Sequence, residues 1–413
     1  MTTAIEDDDF AAFQRATGAT DTGTPYPRWA ALRRQAPIVP VHPRDIFRMA
    51  PNGALRDLPE DFRVWVVVGH AAALEVLRDD RRFSSAIYAA TIGQVMGRTI
   101  LQMDEPEHGR YRGLLQQAFT RKALARWEHE TMRPIVVRLV GAFSGRGRAE
   151  LVRELAFPFP VQVIAGMLGL PERDRARFHR WAIELIAIAV DFERAFAASK
   201  ALAEYFAPLL EERRTRPGDD LISLLAHARI DGERLGDEDI FSFLRLLLPA
   251  GAETTYRVLG SLLCGLLTQP EQLEAVRRDR SLVERAIEEA LRWETPVNRI
   301  VRICREATEV QGVPIPVGAP VVVCLGAANH DEERWERPDV FDLHRAREPH
   351  VAFAFGPHRC LGMQLARMEL RIALNALLDL QGLALAPDAG DVHIRGDVFR
   401  SPAALPVVFE ALR

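Results

Sequence analysis

Phe353-Ala354-Phe355-Gly356-Pro357-His358-Arg359-Cys360-Leu361-Gly362 runs directly into Met363-Gln364-Leu365-Ala366-Arg367-Met368-Glu369-Leu370. One cysteine thus stands between a glycine-bearing loop and a strongly helical run. A thiol there faces the unpaired N–H groups and partial positive charge of a helix N-terminus. That predicts a lowered pKa and a thiolate able to ligate a metal. Gly356 and Gly362 are read as points where the backbone bends and is closely approached. His358 and Arg359 add cationic or hydrogen-bonding character. A cysteine before a helix is, on its own, more often a small buried apolar group than a ligand.

The surrounding pattern decides between the two. The run F-x-x-G-x-H-x-C-x-G resembles the heme-thiolate loop of the cytochrome P450 family, matching at Phe353, Gly356, His358, Cys360 and Gly362. The resemblance implies heme b as cofactor, with Cys360 as the iron ligand whose electron donation favours O–O cleavage. It also implies a fold that is mainly α with small β-sheets. That fold is a triangular helix-rich body with a long kinked central helix over the heme.

Composition agrees with a large ordinary globule. The chain has 413 residues, 48% apolar and 27% charged, enough for a sizeable core. It is read as a single domain over 1–413, with a partly loose segment at 1–25. A net charge of −4 argues against nucleic acid as a general partner. No run reaches the roughly 18 apolar residues of a membrane span, and the acidic start Met1-Thr2-Thr3-Ala4-Ile5-Glu6-Asp7 has no signal-peptide core. A cytoplasmic, bacterial-type protein without a membrane anchor is expected. The four cysteines form no C-x-x-C pair, so a disulfide scaffold or zinc site is not expected.

Patterning predicts a short helix at 28–36, strands at Ile38–Val41 and from Arg63, and a helix over His70–Arg78. Residues 83–102 read as a mixed loop. Helical periodicity dominates 105–290. Strands follow Pro296, then an irregular stretch at 330–350, a last long helix at about 362–380 and a β-rich tail. The long helix from Asp237, taken as N-cap, runs to Thr268, with Pro270 closing it. Its middle reads Leu246-Leu247-Leu248-Pro249-Ala250-Gly251-Ala252-Glu253-Thr254-Thr255. Pro249 lacks an N–H and Gly251 weakens propensity, so a kink with free carbonyls is expected there. The same run resembles the family's A-G-x-[DE]-T-[TS] oxygen-binding motif. The resemblance implies Ala250 and Gly251 against the cofactor, Glu253 as proton-relay carboxylate and Thr254 as the alcohol that steadies bound oxygen.

Glu288-Glu289-Ala290-Leu291-Arg292-Trp293 resembles the family's E-x-x-R helix. The implied structural triad is Glu289, Arg292 and Arg345. Asp104-Glu105-Pro106-Glu107-His108-Gly109-Arg110-Tyr111-Arg112 resembles D-x-P-x-H-x-x-x-R, with Glu105 where proline is more usual. The implied partners of the heme propionates are His108, Arg112, Arg302 and His358.

Leu246, Pro249, Asn298, Ile300 and Phe399 are read as pocket-lining, with further candidates in Tyr88–Ile100 and Leu185–Phe192. These are mostly apolar and suggest a medium-sized apolar organic substrate. Arg299 and Arg400 are candidates for a substrate carboxylate or for plain surface positions. No fused reductase is read after the cysteine, so a ferredoxin-type donor is expected to dock near Arg121, Lys122, Arg359 and Arg367. Three functions remain open at this point: a monooxygenase using O2, a peroxygenase using hydrogen peroxide, and a heme protein without turnover. The Glu253–Thr254 pair favours the first.

Overall fold

The computed structural model describes residues 23–46, 58–186 and 191–412. Most of the loose segment expected at 1–25 therefore lies outside the described residues. After α1 (Tyr26–Arg33), strands β1 (Ile38–Val41) and β2 (Val64–Val67) pair in antiparallel fashion, and α2 (His70–Arg78) follows. β3 (Phe83–Ser84) then opens the stretch expected to be irregular. The five-stranded sheet is completed from far along the chain by β5 (Ile300–Cys304) and β8 (Pro320–Val323); β4, β6 and β7 are placed below. Its order is β1-β2-β8-β5-β3. β8 runs parallel to β2 and antiparallel to β5, so Val39, Val66, Val322 and Val301 form one row across it. Val321, Val322 and Val323 are all buried. Such a continuous apolar run marks a strand covered on both faces. β5 is among the strands expected after Pro296, and it carries Arg302.

The helical body comprises α3 (Glu107–Leu115), α4 (Arg133–Ser144), α5 (Pro158–Met167), α6 (Arg175–Ile186) and α7 (Phe192–Thr215), followed by α8 (Asp237–Leu247) and α9 (Thr254–Leu267). Gly236, not Asp237, is the N-cap of α8; Asp237, Glu238 and Asp239 fill its first turn, where negative charge suits the helix dipole. Pro270 opens the next helix at its first position. α8 and α9 are joined by one wide π-type turn, Leu248–Glu253. The expected kink is thus a widened turn at Pro249, a device that removes the i→i−4 bond the proline cannot make. Every residue of α9 from Thr255 to Leu267 is buried. A helix that is apolar nearly all round belongs at the centre of a large core.

α10 (Val283–Trp293) and α11 (Met363–Leu378) pack against this central helix. Smaller sheets sit at the side. β6 (Thr308–Val310) pairs with β7 (Val313–Ile315). β9 (Ala384–Leu385), β12 (Pro406–Val408) and β4 (Arg148–Glu150) form a three-stranded sheet, and β10 (Ile394–Arg395) pairs with β11 (Ser401–Pro402). Among the described residues no helix is long and apolar enough to cross a membrane.

Candidate active site

The cysteine loop folds back on itself. The Cys360 N–H donates to the Phe353 carbonyl at 2.9 Å, and the Arg359 N–H to that of Gly356 at 3.1 Å. Ala354 and Gly356 take positive φ of 55° and 72°. A Cβ on Gly356 would lie 2.2 Å from the Leu77 carbonyl oxygen, so glycine is required where the loop crosses the end of α2. Gly362 differs from expectation. Its φ of −82° suits any residue, and a Cβ there would meet no atom of the chain within 4 Å.

Cys360 stays exposed, whereas Cys264, Cys304 and Cys324 are buried in the core. The expected lowering of its thiol pKa is not found. Burial pushes the thiol up and outweighs the Gly362 N–H and the charges of Arg112, Arg367 and Arg359. A thiolate at this place needs a bound metal cation to hold it deprotonated.

The four residues expected around the propionates come together from α3, β5 and the cysteine loop. The His108 and His358 rings stand 3.9 Å apart. His108 is buried; its Nδ1 is 2.9 Å from Glu105 Oε1, and its Nε2 is buried with no partner. Glu105, the residue that departs from the usual motif, thereby gains a contact of its own. Burial, then His108, Arg302 and Arg112, lower the His358 pKa to about 3. Burial also lowers Arg112 and Arg302. Among the described residues neither arginine, nor His358, is in an ion pair. Arg112 donates to the Arg359 carbonyl at 2.6 Å and Arg302 to that of Val301 at 2.9 Å. Buried cations are ordinarily paired. Buried Arg302 and half-buried Arg112, beside an orphaned imidazole nitrogen, fit a ligand bearing two carboxylates. Two further residues belong to this neighbourhood: Ser85, which was missed, and Tyr88, which was read only as a pocket candidate. Ser85 Oγ lies 3.3 Å from His358 Nε2, and the Tyr88 hydroxyl accepts the Val301 N–H at 3.0 Å. Both sit in the stretch read as loop, where no periodicity marks them.

The wide turn of the central helix, Leu248–Glu253, carries the acid–alcohol run. Ala250 is exposed and Thr254 half-buried in an otherwise buried helix. The Thr254 hydroxyl donates to the Ala250 carbonyl at 2.8 Å, which leaves its lone pairs free to accept. Gly251 has a packing role: a Cβ there would lie 2.8 Å from Ile164 Cδ1 on α5. Glu253 is buried against Arg257, a residue the sequence reading passed over. Arg257 Nη2 and Nε donate to Glu253 Oε1 at 2.8 and 3.2 Å. Burial raises the Glu253 carboxyl pKa and Arg257 pulls it back only in part.

The triad assembles. Arg292 binds both oxygens of Glu289 at 2.8 Å, Arg345 Nε reaches Glu289 Oε1 at 3.0 Å, and the two guanidinium groups bind the carbonyls of Asn329, Pro338, Val340 and Arg337. Three other expectations need correction. Asn298 is fully buried and structural, with its side chain donating to the Asp397 carbonyl and its N–H to that of Val398. Arg299 pairs with Asp397 at 2.6 Å, and Arg400 pairs with Glu294 at 2.7 Å; both are buried, so neither is a surface position nor offered to a substrate. Leu246 is buried in the core, Pro249 and Ile300 are half-buried, and Phe399 lies over the Arg257 guanidinium at 5.2 Å. Part of the Leu185–Phe192 candidate stretch lies outside the described residues.

Behind the cysteine loop a groove of about 920 Å³ is lined by Arg121, Arg359 and Arg367 among others. It is not uniformly basic. Glu128, Glu284 and Glu288 share it, and Arg367 is held by Glu288 at 2.7 Å. Lys122 is exposed on the helix that bears Arg121.

The family model described as "Cytochrome P450" matches residues 178–392. Cytochrome P450 107B1 of Saccharopolyspora erythraea is 38% identical over 335 residues, covering 79% of this chain and 81% of that protein. The cytochrome P450 monooxygenase PikC of Streptomyces venezuelae is 34% identical over 407 residues, covering 95% and 92%. The crystal structure of CYP109E1 from Bacillus megaterium in complex with testosterone superposes with a TM-score of 0.82 at 30% identity, covering 94% of this chain and all of that one. Members of this family bind heme b, and the cysteine loop and acid-poor cation cluster fit that group. The chain belongs to the cytochrome P450 family of heme monooxygenases.

Proposed function

We propose that the protein hydroxylates a small apolar organic substrate. One atom of O2 enters a C–H bond and the other leaves as water, with two electrons from an external ferredoxin-type donor and two protons. Heme b, when bound, supplies the iron at which dioxygen is reduced. The chain supplies the rest. Cys360 is the iron ligand. His108, Arg112, Arg302 and His358 hold the two propionates by charge-assisted hydrogen bonds. Thr254, its proton engaged by Ala250, accepts a hydrogen bond beside the reacting oxygen and keeps water ordered there. Glu253 passes protons towards it, and without a positioned donor the reduced oxygen escapes as peroxide.

The observation that carries this reading is the pairing of exposed Ala250 with half-buried Thr254, which we take as the cleft face, with a buried carboxyl next to them. A peroxygenase, which draws both electrons and both protons from peroxide, has no use for that pair. The apolar character of the substrate is supported by Pro249, Ile300 and Phe399, and by the engagement of Arg257, Arg299 and Arg400 with carboxylates. We place the enzyme in the cytoplasm as one domain; the free state of Cys264, Cys304, Cys324 and Cys360 supports a reducing compartment.

The test compares turnover driven by NADPH, a plant-type ferredoxin and its reductase with turnover driven by hydrogen peroxide alone. Substrates come from a panel of steroids, fatty acids, terpenoids and aromatics, screened by the spin-state shift of the ferric protein. Product formed mainly with the ferredoxin couple, labelled by ¹⁸O2, supports the reading. Product formed equally well with peroxide alone contradicts it.

A further inference from the structure

Residues 250–260 present two faces to two different environments. Ala250, exposed, and Thr254, half-buried, lie four apart on the face taken as that of the cleft. Glu253, Arg257 and Gly260 lie on the neighbouring face, packed on β11. A Cβ on Gly260 would lie 3.1 Å from Pro402 Cδ, and Arg257 Nη1 donates to Ser401 Oγ at 3.3 Å. The Tyr256 hydroxyl shares that same oxygen at 3.4 Å. The Arg257 guanidinium lies 5.2 Å from the centre of the Phe399 ring and 5.0 Å from that of Tyr256. Glu253 is 2% and Arg257 0% exposed. The carboxyl thought to serve the cleft is therefore held away from it.

We propose that Arg257 is a positioning residue for the oxygen chemistry: it keeps Glu253 a carboxylate withdrawn from the cleft face, so proton delivery requires this pair to open. The proposal rests on the reading of Glu253 as the relay acid. Arg257 Nε and Nη2 both converge on Glu253 Oε1. A buried ion pair adds little net stability over two apolar side chains of similar size. Its charges are accounted for if one of them is used. Deprived of Arg257, a carboxyl this deeply buried takes up a proton. It then has no negative charge with which to collect the next proton from water. Phe399 and Ser401 complete the arrangement by confining the guanidinium. Together they tie the acid to the segment Phe399–Ser401.

Infrared spectra of the ferric holoenzyme test the hold directly. The wild type minus Glu253→Gln difference should lose a carboxylate band and no protonated-carboxyl band. Arg257→Met should gain a protonated-carboxyl band worth one group per chain, absent from Arg257→Lys and from the Glu253→Gln/Arg257→Met double variant. Glu369, also buried with its carboxyl pKa well raised, cancels because it is common to all of them. Peroxide released per NADPH, with the ferredoxin couple, should rise in Glu253→Gln and in Arg257→Met and rise no further in the double variant. Arg257→Lys should restore it most of the way. A protonated Glu253 in the wild type, or effects of the two single variants that add in the double, overturns the role of Arg257. Unchanged peroxide release in Glu253→Gln overturns instead the relay reading on which it rests. Should Arg257→Met fail to fold, the wild type and Glu253→Gln spectra still decide.

Discussion

At Thr254 a single oxygen atom separates productive from wasteful chemistry. The hydroxyl bonds the Ala250 carbonyl within the helix and so offers its lone pairs to the cleft. Thr254→Ala keeps the helix, since alanine is the better helix former. NADPH should still be consumed through the ferredoxin couple, with more electrons emerging as hydrogen peroxide and fewer as product. Unchanged product per NADPH would move the relay elsewhere, to Thr255 for example. Single residues also show what a sequence hides. Cys360, Thr254 and His358 could be nominated because each lies inside a local pattern. Arg299, Arg400 and Asn298 were misread because their partners, Asp397 and Glu294, lie about a hundred residues away in the chain. No spacing rule joins such positions. Arg257 was four residues from Glu253, within reach of the helical i,i+4 rule, and could have been found.

At the scale of elements, two ion-pair systems tie α10 to what surrounds Cys360. Glu289 and Arg292 are 6% and 2% exposed, and with Arg345 they bind a ring of backbone carbonyls. Arg292→Ala leaves Glu289 buried with half its partners. The loss is expected to be roughly 3–5 kcal/mol, read as poor heme incorporation and a lowered Tm. Full heme occupancy at normal expression would reduce the triad to an ornament of the fold. Glu288 works further along the same helix. Burial opposes its charge, but Arg367 of α11 and His350 together bring its pKa from 4.5 down to about 2. A depressed carboxylate contributes stability that is fully present above pH 4.5 and is lost as the pH falls towards 2. Its side chain is 37% exposed, so solvent screening keeps the contribution to about 1 kcal/mol. Glu288→Gln should therefore lower Tm slightly at pH 7 and narrow to no difference near pH 2. A constant difference across that range would show that the loss is one of packing. Elements of this kind were legible where period and caps agree, as in α2, predicted residue for residue. The wide turn at Leu248–Glu253 was legible only as a kink, because proline announces a missing bond and not the geometry that replaces it.

Over the whole molecule, the sheet brings β2, β5 and β8 together from residues 64 to 323, and the same closure brings α3, β5 and the cysteine loop to one cluster of cations. The fold class was legible because helical periodicity fills the middle of the chain and strands its ends. The strand order and the parallel β2–β8 pairing were not, since register between distant strands leaves no local mark. The groove behind the cysteine loop mixes Arg121 and Arg359 with Glu128 and Glu284, which favours a partner recognised by a pattern of charges over one held by a uniformly basic face. The account turns on the cysteine that all of these elements converge upon. Its most direct test is the carbon monoxide difference spectrum of the purified, dithionite-reduced holoenzyme, recorded for the wild type and for Cys360→His. The wild type should give the thiolate-type band and the variant should lose it, while Cys264→Ala, Cys304→Ala and Cys324→Ala keep it. A thiolate-type band that survives in Cys360→His, or none in a wild type loaded with heme, would contradict the assignment.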